Sequence, residues 1–242
     1  MTAKKTKLNA LQSARQRGKS WCETFKHEIR KIDNDLSMLS EDKTNLKQHR
    51  LNLAREKASA ESMNLLDMGT DYLREAKHRL KEAQSVMPNL LAARAAVLGP
   101  TLAALDDTQL LNLLESRFTD NYDRTLITET IQARYDARGD QGGKLRHDYQ
   151  KKYDQLKGQL PKAELDALEN LTQAEQFSYY AELSANEIQT LLEGLSRPLT
   201  TQENIALKRY ASAADKIEHG AVYNPRDGSF EGEYPVMDIR EA

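Results

Sequence analysis

The stretch Ser20–Met87 decides the fold, and it reads SWCETFKHEIRKIDNDLSMLSEDKTNLKQHRLNLAREKASAESMNLLDMGTDYLREAKHRLKEAQSVM. It contains no proline, and its only glycine is Gly69. In its first half, apolar side chains recur at alternating steps of three and four, which is the heptad pattern of a coiled coil. These side chains are Cys22, Phe25, Ile29, Ile32, Leu36, Leu39, Leu46 and Leu53. The pattern predicts a long helical region whose apolar stripe packs against a partner helix.

Two arrangements of this region fit the sequence. Two positions of the repeat hold charged residues, Lys43 and Arg50, and beyond Leu53 the repeat gives way to small residues before it resumes at Leu66. The region is therefore either one continuous helix or an antiparallel hairpin that folds back near residues 56–64. We favour the continuous helix, because residues 56–61 include no turn-forming residue.

The composition is polar for a chain with a single compact core. Of the 242 residues, 30% are charged and 39% are hydrophobic, a balance typical of elongated helical proteins. No run of 18 apolar residues occurs, so we expect no membrane-spanning segment. The N-terminus lacks the apolar core of a secretory signal, and Cys22 is the only cysteine. We expect a reducing location, either the cytoplasm or the interior of a virion or other assembly.

The N-terminal segment 1–19 contains only basic charges. We interpret it as an arm for nucleic acid or for an acidic protein surface, with a solvated terminus as the alternative. Gly18 is expected to separate this arm from the long helical region. The basic residues of the arm are Lys4, Lys5, Lys7, Arg15, Arg17 and Lys19.

Charge is also distributed unevenly along the whole chain. Residues 1–60 hold 14 Lys or Arg against 7 Asp or Glu, whereas residues 161–242 hold 7 against 15. Such a basic-to-acidic asymmetry can steer head-to-tail self-association or direct the basic end to an acidic partner.

The second half predicts a series of short helices. Proline at the first turn and glycine at the end delimit the first of them, from Pro88 to the Gly99-Pro100 pair. Asp106 or Asp107 is suited to cap the next helix, Thr119 or Asp120 is suited to cap the one after it, and residues 139–143 form a loop. Three capping boxes predict three further helix starts: Thr172 with Glu175, Ser184 with Glu187, and Thr200 with Glu203.

The last segment differs from the rest of the chain. The turn signal at residues 224–228 predicts a β-hairpin that pairs residues 221–223 with residues 229–231. Beyond it, Tyr234, Val236 and Ile239 would lie on one face of an extended arm that docks on a neighbouring subunit, and a flexible terminus is the alternative. The predicted domains are therefore a basic arm (1–19), a long helical region (20–98), a short-helix bundle (99–220) and a hairpin with a tail (221–242).

Sequence motifs for chemistry are lacking. The five histidines are scattered, and Glu75-x-x-His78, the spacing of a di-iron ligand pair, occurs once only. The glycine-rich segment 139–145 departs from a phosphate-binding loop in its spacing and in the absence of the magnesium-binding hydroxyl. We therefore predict no catalytic residue, no metal and no cofactor.

The sequence predicts an all-α protein that functions by binding. The leading hypothesis is a non-enzymatic oligomerising structural, scaffold or adaptor protein of a larger assembly, such as a virion or a secretion machine. It would associate with itself and with other proteins of that assembly. The alternative is a nucleic-acid-binding protein that uses the basic arm and the basic helix 144–157, in which Tyr149 and Tyr153 could stack on bases. The predicted self-association residues are Phe25, Ile29, Ile32, Leu36, Leu39 and Leu46.

Overall fold

The computed structural model describes residues 3–224 and 229–231, with side chains from residue 6 onward. It confirms the all-α prediction, because the described chain consists of eight α-helices and a small C-terminal two-stranded sheet. The helices are α1 (Ala3–Asn34), α2 (Ser40–Ala83), α3 (Pro88–Ala104), α4 (Asp107–Arg117), α5 (Asn121–Ala137), α6 (Gly143–Leu156), α7 (Lys162–Glu193) and α8 (Thr201–Glu218). Short 3₁₀ turns cover Gly139–Gly142 and Lys157–Gln159, and the strands are β1 (Val222–Tyr223) and β2 (Phe230–Glu231).

The chain divides into two compact units, and both of its ends belong to the same one. Unit 1 consists of Met1–Glu75 and Thr172–Ala242, and unit 2 consists of Ala76–Leu171. This division differs from the expected boundary near residue 98. Helices α2 and α7 each contribute one part to unit 1 and the other to unit 2.

Helices α1 and α2 form an antiparallel hairpin, so the favoured continuous helix over residues 20–87 is wrong. Four ion pairs show the antiparallel direction, because residues later in α1 pair with residues earlier in α2. They are Lys7 with Glu75, Arg17 with Glu61, Glu28 with Arg50, and Asp33 with Lys47. Arg50, one of the two charged residues inside the heptad repeat, thereby gains a physical reason, because it faces Glu28 on the other helix.

The turn of this hairpin lies at residues 35–39 rather than at the expected 56–64. The Ser37 backbone N–H donates to Asp35 Oδ1 at 2.9 Å, which is the hydrogen bond of an Asx turn. Lys43 Nζ donates to the carbonyl oxygen of Asp33 at 3.1 Å and so satisfies one of the open acceptors at the end of α1.

The core of unit 1 lies between α1, α2, α7 and α8. Gly18 does not break α1, because it lies inside the helix and permits close packing: a Cβ there would lie 2.4 Å from Ile188 Cδ1. Gly69 acts in the same way in α2, where a Cβ would lie 2.8 Å from the Cβ of Ala181. The largest fully buried apolar side chains of this core are Leu11, Cys22, Leu65, Tyr180 and Ile188.

Several expected helix ends are absent. Helix α7 continues through Thr172 and Ser184, so neither begins a helix, and Ser184 is buried. Pro100 lies inside α3 and does not end it. The predicted caps at Asp106, Asp120 and Thr200 are confirmed, because each side chain accepts a backbone N–H of the following turn.

Unit 2 has a second core built by α3 to α6 and the first part of α7. Leu110, Leu114, Phe118, Ile127 and Ile131 are its most completely buried apolar residues. The ion pair Arg124–Glu164 is buried beside them, with 2.5 Å between Nη2 and Oε2.

The predicted β-hairpin is confirmed, with Val222 opposite Glu231 and Tyr223 opposite Phe230. It is anchored to α7 in unit 1, where Gln176 donates to the Tyr223 carbonyl at 2.6 Å and accepts from the Tyr223 N–H at 2.7 Å. The turn residues 225–228 and the predicted arm with Tyr234, Val236 and Ile239 lie outside the described residues.

Candidate functional site

The residues of the predicted basic arm belong to α1, and the four whose side chains are described are paired with carboxylates. Lys7 contacts Glu75 at 2.8 Å, Arg17 contacts Glu61 at 2.7 Å, and Lys19 contacts Glu187 at 2.9 Å. Arg15 is only 5% exposed. The segment is therefore part of a packed helix and not a separate arm. Lys4 and Lys5 also lie in α1, and their side chains are outside the described ones.

Arg15 is the centre of a buried polar network in unit 1. Its Nε–H donates to Glu187 at 2.7 Å, and its Nη1 donates to Asp215 at 2.8 Å and to Glu218 at 2.6 Å. Tyr180 donates its hydroxyl to Glu218 at 2.5 Å. Burial alone would lower the pKa of Arg15, but the hydrogen bonds and charges of Glu187 and Asp215 outweigh it and raise the pKa. Arg15 therefore joins α1 to α7 and α8 as a permanently charged internal group.

The basic helix 144–157 corresponds to α6 and the turn after it, and its aromatic residues face inward. Tyr149 is buried in the core of unit 2, and Tyr153 packs edge-on against Phe118 with ring centroids 5.2 Å apart. Burial raises the pKa of Tyr153 to about 12. Both rings are committed to the core and do not present a stacking surface for bases. The exposed basic side chains of this helix are Lys144, Arg146, His147 and Lys151.

The predicted self-association residues fall into two groups. Phe25 and Ile32 are buried, and Ile29 and Leu46 are partly buried. The helical stripe that was expected to need a partner chain is thus largely covered within unit 1. Leu36 and Leu39, in contrast, are 97% and 73% exposed, because they lie in the turn and not on the helical stripe.

The turn presents three large apolar side chains within four residues. Met38, which the sequence interpretation did not include, is exposed beside Leu36 and Leu39. We call residues 35–39 the hairpin tip. Its position could have been found from the cluster of Asn, Asp and Ser residues between 34 and 40, followed by acids in the first turn of α2.

The sequence around the hairpin tip is acidic, and Lys47 and Lys43 of α2 balance part of this charge at Asp33 and Asp35. Residues 33–42 contain four carboxylates and no lysine or arginine. Hydrogen bonds from the Ser37 side chain and backbone lower the pKa of the Asp35 carboxyl, which therefore stays ionised at neutral pH. The four acids are Asp33, Asp35, Glu41 and Asp42. The tip thus combines a small apolar surface with negative charge at its edge.

Metal ligands and membrane-spanning helices were the other features that could have indicated a function. Among residues 3–224 and 229–231, no three His, Cys, Asp or Glu side chains are grouped so that they could hold a metal ion. No single helix in those ranges is long and apolar enough to cross a membrane, and only the bent pair of α2 and α3, taken together, has the required length and composition.

Comparisons with protein-family models, with curated proteins and with solved structures find no match to this chain.

Proposed function

We propose that this chain is a non-enzymatic scaffold or adaptor subunit that holds a partner protein at the hairpin tip. The observation that carries the proposal is the exposure of Leu36 (97%) and Leu39 (73%). Scattered single exposed apolar residues are normal on protein surfaces, but here three occur within four residues at the end of a hairpin.

The apolar side chains of the hairpin tip would contribute part of the free energy of binding. Complete burial of one leucine side chain contributes about 1.5–3 kcal/mol, so the two leucines together offer roughly 3–6 kcal/mol before the costs of association. The tip is also presented on two paired helices, which hold it in one position and reduce the entropy that is lost on binding.

The charge around the tip indicates the chemistry of the partner. The carboxylates of residues 33–42 would meet basic groups around an apolar socket, and they would repel nucleic acid. They would also repel a second acidic tip, so tip-to-tip self-association is disfavoured. The partner we propose is therefore a different protein with a basic rim.

The alternative, nucleic-acid binding, receives less support. Lys7, Arg15, Arg17 and Lys19 are paired with carboxylates, and the tyrosines of α6 are packed inside unit 2. What supports it is the set of exposed basic residues on α6, which by themselves favour salt-dependent and sequence-independent contacts.

The proposal is tested by site-specific photo-crosslinking in the source cells, with the photoreactive residue at position 36 or, as a control, at the exposed position 63. The partner captured at position 36 is then purified, and its affinity is measured by calorimetry. We expect Leu36→Ser with Leu39→Ser to weaken binding by at least about a hundredfold, which corresponds to ~2.7 kcal/mol.

The matched control variant is Met63→Ser with Leu66→Ser, because it removes two exposed apolar side chains from another part of α2. This variant should bind the partner normally. Equal affinity of the tip variant and the native chain would contradict the proposal, as would capture of the same proteins from positions 36 and 63.

A further inference from the structure

A groove between α7 and α8 in unit 1 is a concave surface that neither the core nor the hairpin tip explains. Its volume is about 690 Å³. Leu183 and Asn186 of α7 line one side, Ile205 and Arg209 of α8 line the other, and Phe230 of β2 closes one end. The groove therefore begins where the β-hairpin ends.

The walls of the groove combine apolar and polar side chains, with one positive charge in excess. Ile205 is 62% exposed although it lies beside Leu183 and Ala206, so a large apolar side chain is open to an incoming group. The charged residues that line the groove are Arg209, Lys216 and Glu182. Lys216 Nζ lies 5.0 Å from the ring centroid of Phe230, at the end from which the chain continues. An occupant with apolar side chains and net negative charge would fit.

The β-hairpin ends at Glu231, next to Phe230, which lines the groove. Gln176 fixes β1 through its two hydrogen bonds with Tyr223, and Tyr223 stacks on Tyr179 with ring centroids 3.7 Å apart. Phe230 pairs with Tyr223 in the sheet and lines the groove, so the residues that follow Glu231 start beside it.

The segment 232–242 has the length and the chemistry that the groove requires. Eleven residues can extend over about 36 Å, whereas the wall of α8 from Gln202 to Lys216 is about 21 Å long. The segment contains three acids and one arginine. Its large apolar residues are Tyr234, Val236, Met237 and Ile239.

We propose that residues 232–242 dock in the α7–α8 groove of the same molecule. Their apolar side chains would cover Ile205 and Leu183, and their carboxylates would face the guanidinium group of Arg209. Covalent attachment at the entrance favours this occupant over the same segment of another copy, because a short tether gives an effective concentration in the millimolar range. The inference is independent of the function proposed for the hairpin tip.

The experiment measures thiol labelling at one groove position in the full chain. Ser212 is exposed and lines the groove, so Ser212→Cys places a reactive thiol there. The native Cys22 gives no background, because it is 1% exposed and burial raises its pKa to about 11. Combining Ser212→Cys with Tyr234→Ser and Val236→Ser should speed labelling by at least about tenfold, equivalent to ~1.4 kcal/mol of docking free energy.

Two further variants make the result specific. Arg209→Glu in the Ser212→Cys background alters the groove instead of the segment, and it should also speed labelling. Lys208→Cys, on an exposed part of α8 that does not line the groove, should label at one rate whether or not Tyr234 and Val236 are replaced. Circular dichroism of each variant verifies that the helices are intact.

Two outcomes would overturn the inference. Equal labelling rates of the thiol at position 212 with and without the segment substitutions would show that the groove is open. If the thiol at position 212 is protected from labelling only at higher protein concentration, the occupant of the groove is a segment of a second copy of the chain.

Discussion

Cys22 shows how the environment of one residue determines its chemistry. It lies in the core of unit 1, and burial raises the pKa of its thiol to about 11 from an ordinary value near 9. The folded chain therefore keeps this thiol protonated at pH values where the unfolded chain has lost the proton. The tyrosines Tyr153 and Tyr179 behave similarly, with pKa values raised to about 12, chiefly by burial.

The first prediction at this scale is that stability falls as the pH rises above about 9. Between the unfolded and folded pKa values the native chain binds more protons than the unfolded chain, so the free energy of unfolding decreases with pH. Cys22 alone should contribute a loss of roughly 2–3 kcal/mol by pH 11. Urea unfolding at a series of pH values from 8 to 11 measures this loss of stability.

The control for this prediction is Cys22→Ala. For this variant and the native chain, only the slope of the free energy of unfolding against pH is compared. The variant should lose less stability between pH 9 and pH 10, and the contribution of the tyrosines cancels because both chains contain them. Identical slopes for the variant and the native chain would show that Cys22 does not make this contribution.

The position of Arg15 in the core could have been predicted from the sequence. It was missed because Gly18 was interpreted as the start of the long helical region. Extended toward the N-terminus, the heptad steps that contain Cys22 and Phe25 pass through Gly18, Arg15 and Leu11. Arg15 therefore occupies a core position of the repeat. Its partners Glu187, Asp215 and Glu218 lie more than 170 residues away along the chain, and no local pattern identifies pairs at that separation.

At the scale of elements, glycines within helices determine how closely the helices of unit 1 approach. Gly69 of α2 lies against Ala181 and the backbone of Ser178 in α7, whereas a Cβ on Gly143 of α6 would meet no described residue within 4 Å other than its own helical neighbours. Both glycines belong to helices, where alanine is intrinsically favoured by about 1 kcal/mol. The two positions therefore separate the effect of packing from that of helix propensity.

The prediction at this scale is that Gly69→Ala destabilises unit 1 and that Gly143→Ala stabilises unit 2. A Cβ at position 69 would lie 3.1 Å from the Cα of Ser178, a backbone atom that cannot move alone, and such overpacking costs about 1–3 kcal/mol. At position 143, only the propensity gain of about 0.5–1 kcal/mol remains. Hydrogen exchange resolved to peptides measures the two units separately. A stabilised Gly69→Ala variant would mean that α2 and α7 are not in close contact there.

The elements that could be predicted from the sequence are those that local hydrogen bonds determine. Asp106, Asp120 and Thr200 cap helices as expected, because a cap needs only the next turn of the chain. The box at Ser184 has the same sequence pattern, but there the Glu187 carboxylate binds Arg15 and the helix continues. The turn at residues 35–39 was missed because its leucines coincide with the spacing of the helical repeat.

At the scale of the whole molecule, the uneven distribution of charge along the sequence is largely balanced inside unit 1. The basic segment 1–60 and the acidic segment 172–231 belong to this same unit, and Arg15 and Lys19 of α1 contact acids of α7 and α8. The asymmetry that suggested head-to-tail association is thus used for intramolecular pairing. The apolar stripe of α1 is likewise covered within unit 1, where Leu11, Cys22, Phe25 and Ile32 are buried.

The prediction that follows is a monomer in solution at low and at high salt. Light scattering after size exclusion should give a mass near 27.5 kDa at both salt concentrations, because Arg15, Arg17 and Lys19 of α1 pair with acids of the same chain and its apolar stripe is covered. The diagnostic variant is again Leu36→Ser with Leu39→Ser, which should leave the mass unchanged. A salt-resistant oligomer that this variant dissociates would identify the hairpin tip as a self-association surface and would contradict the proposal of a different partner protein. An oligomer that dissociates only in high salt would point instead to exposed charges, such as those of α6.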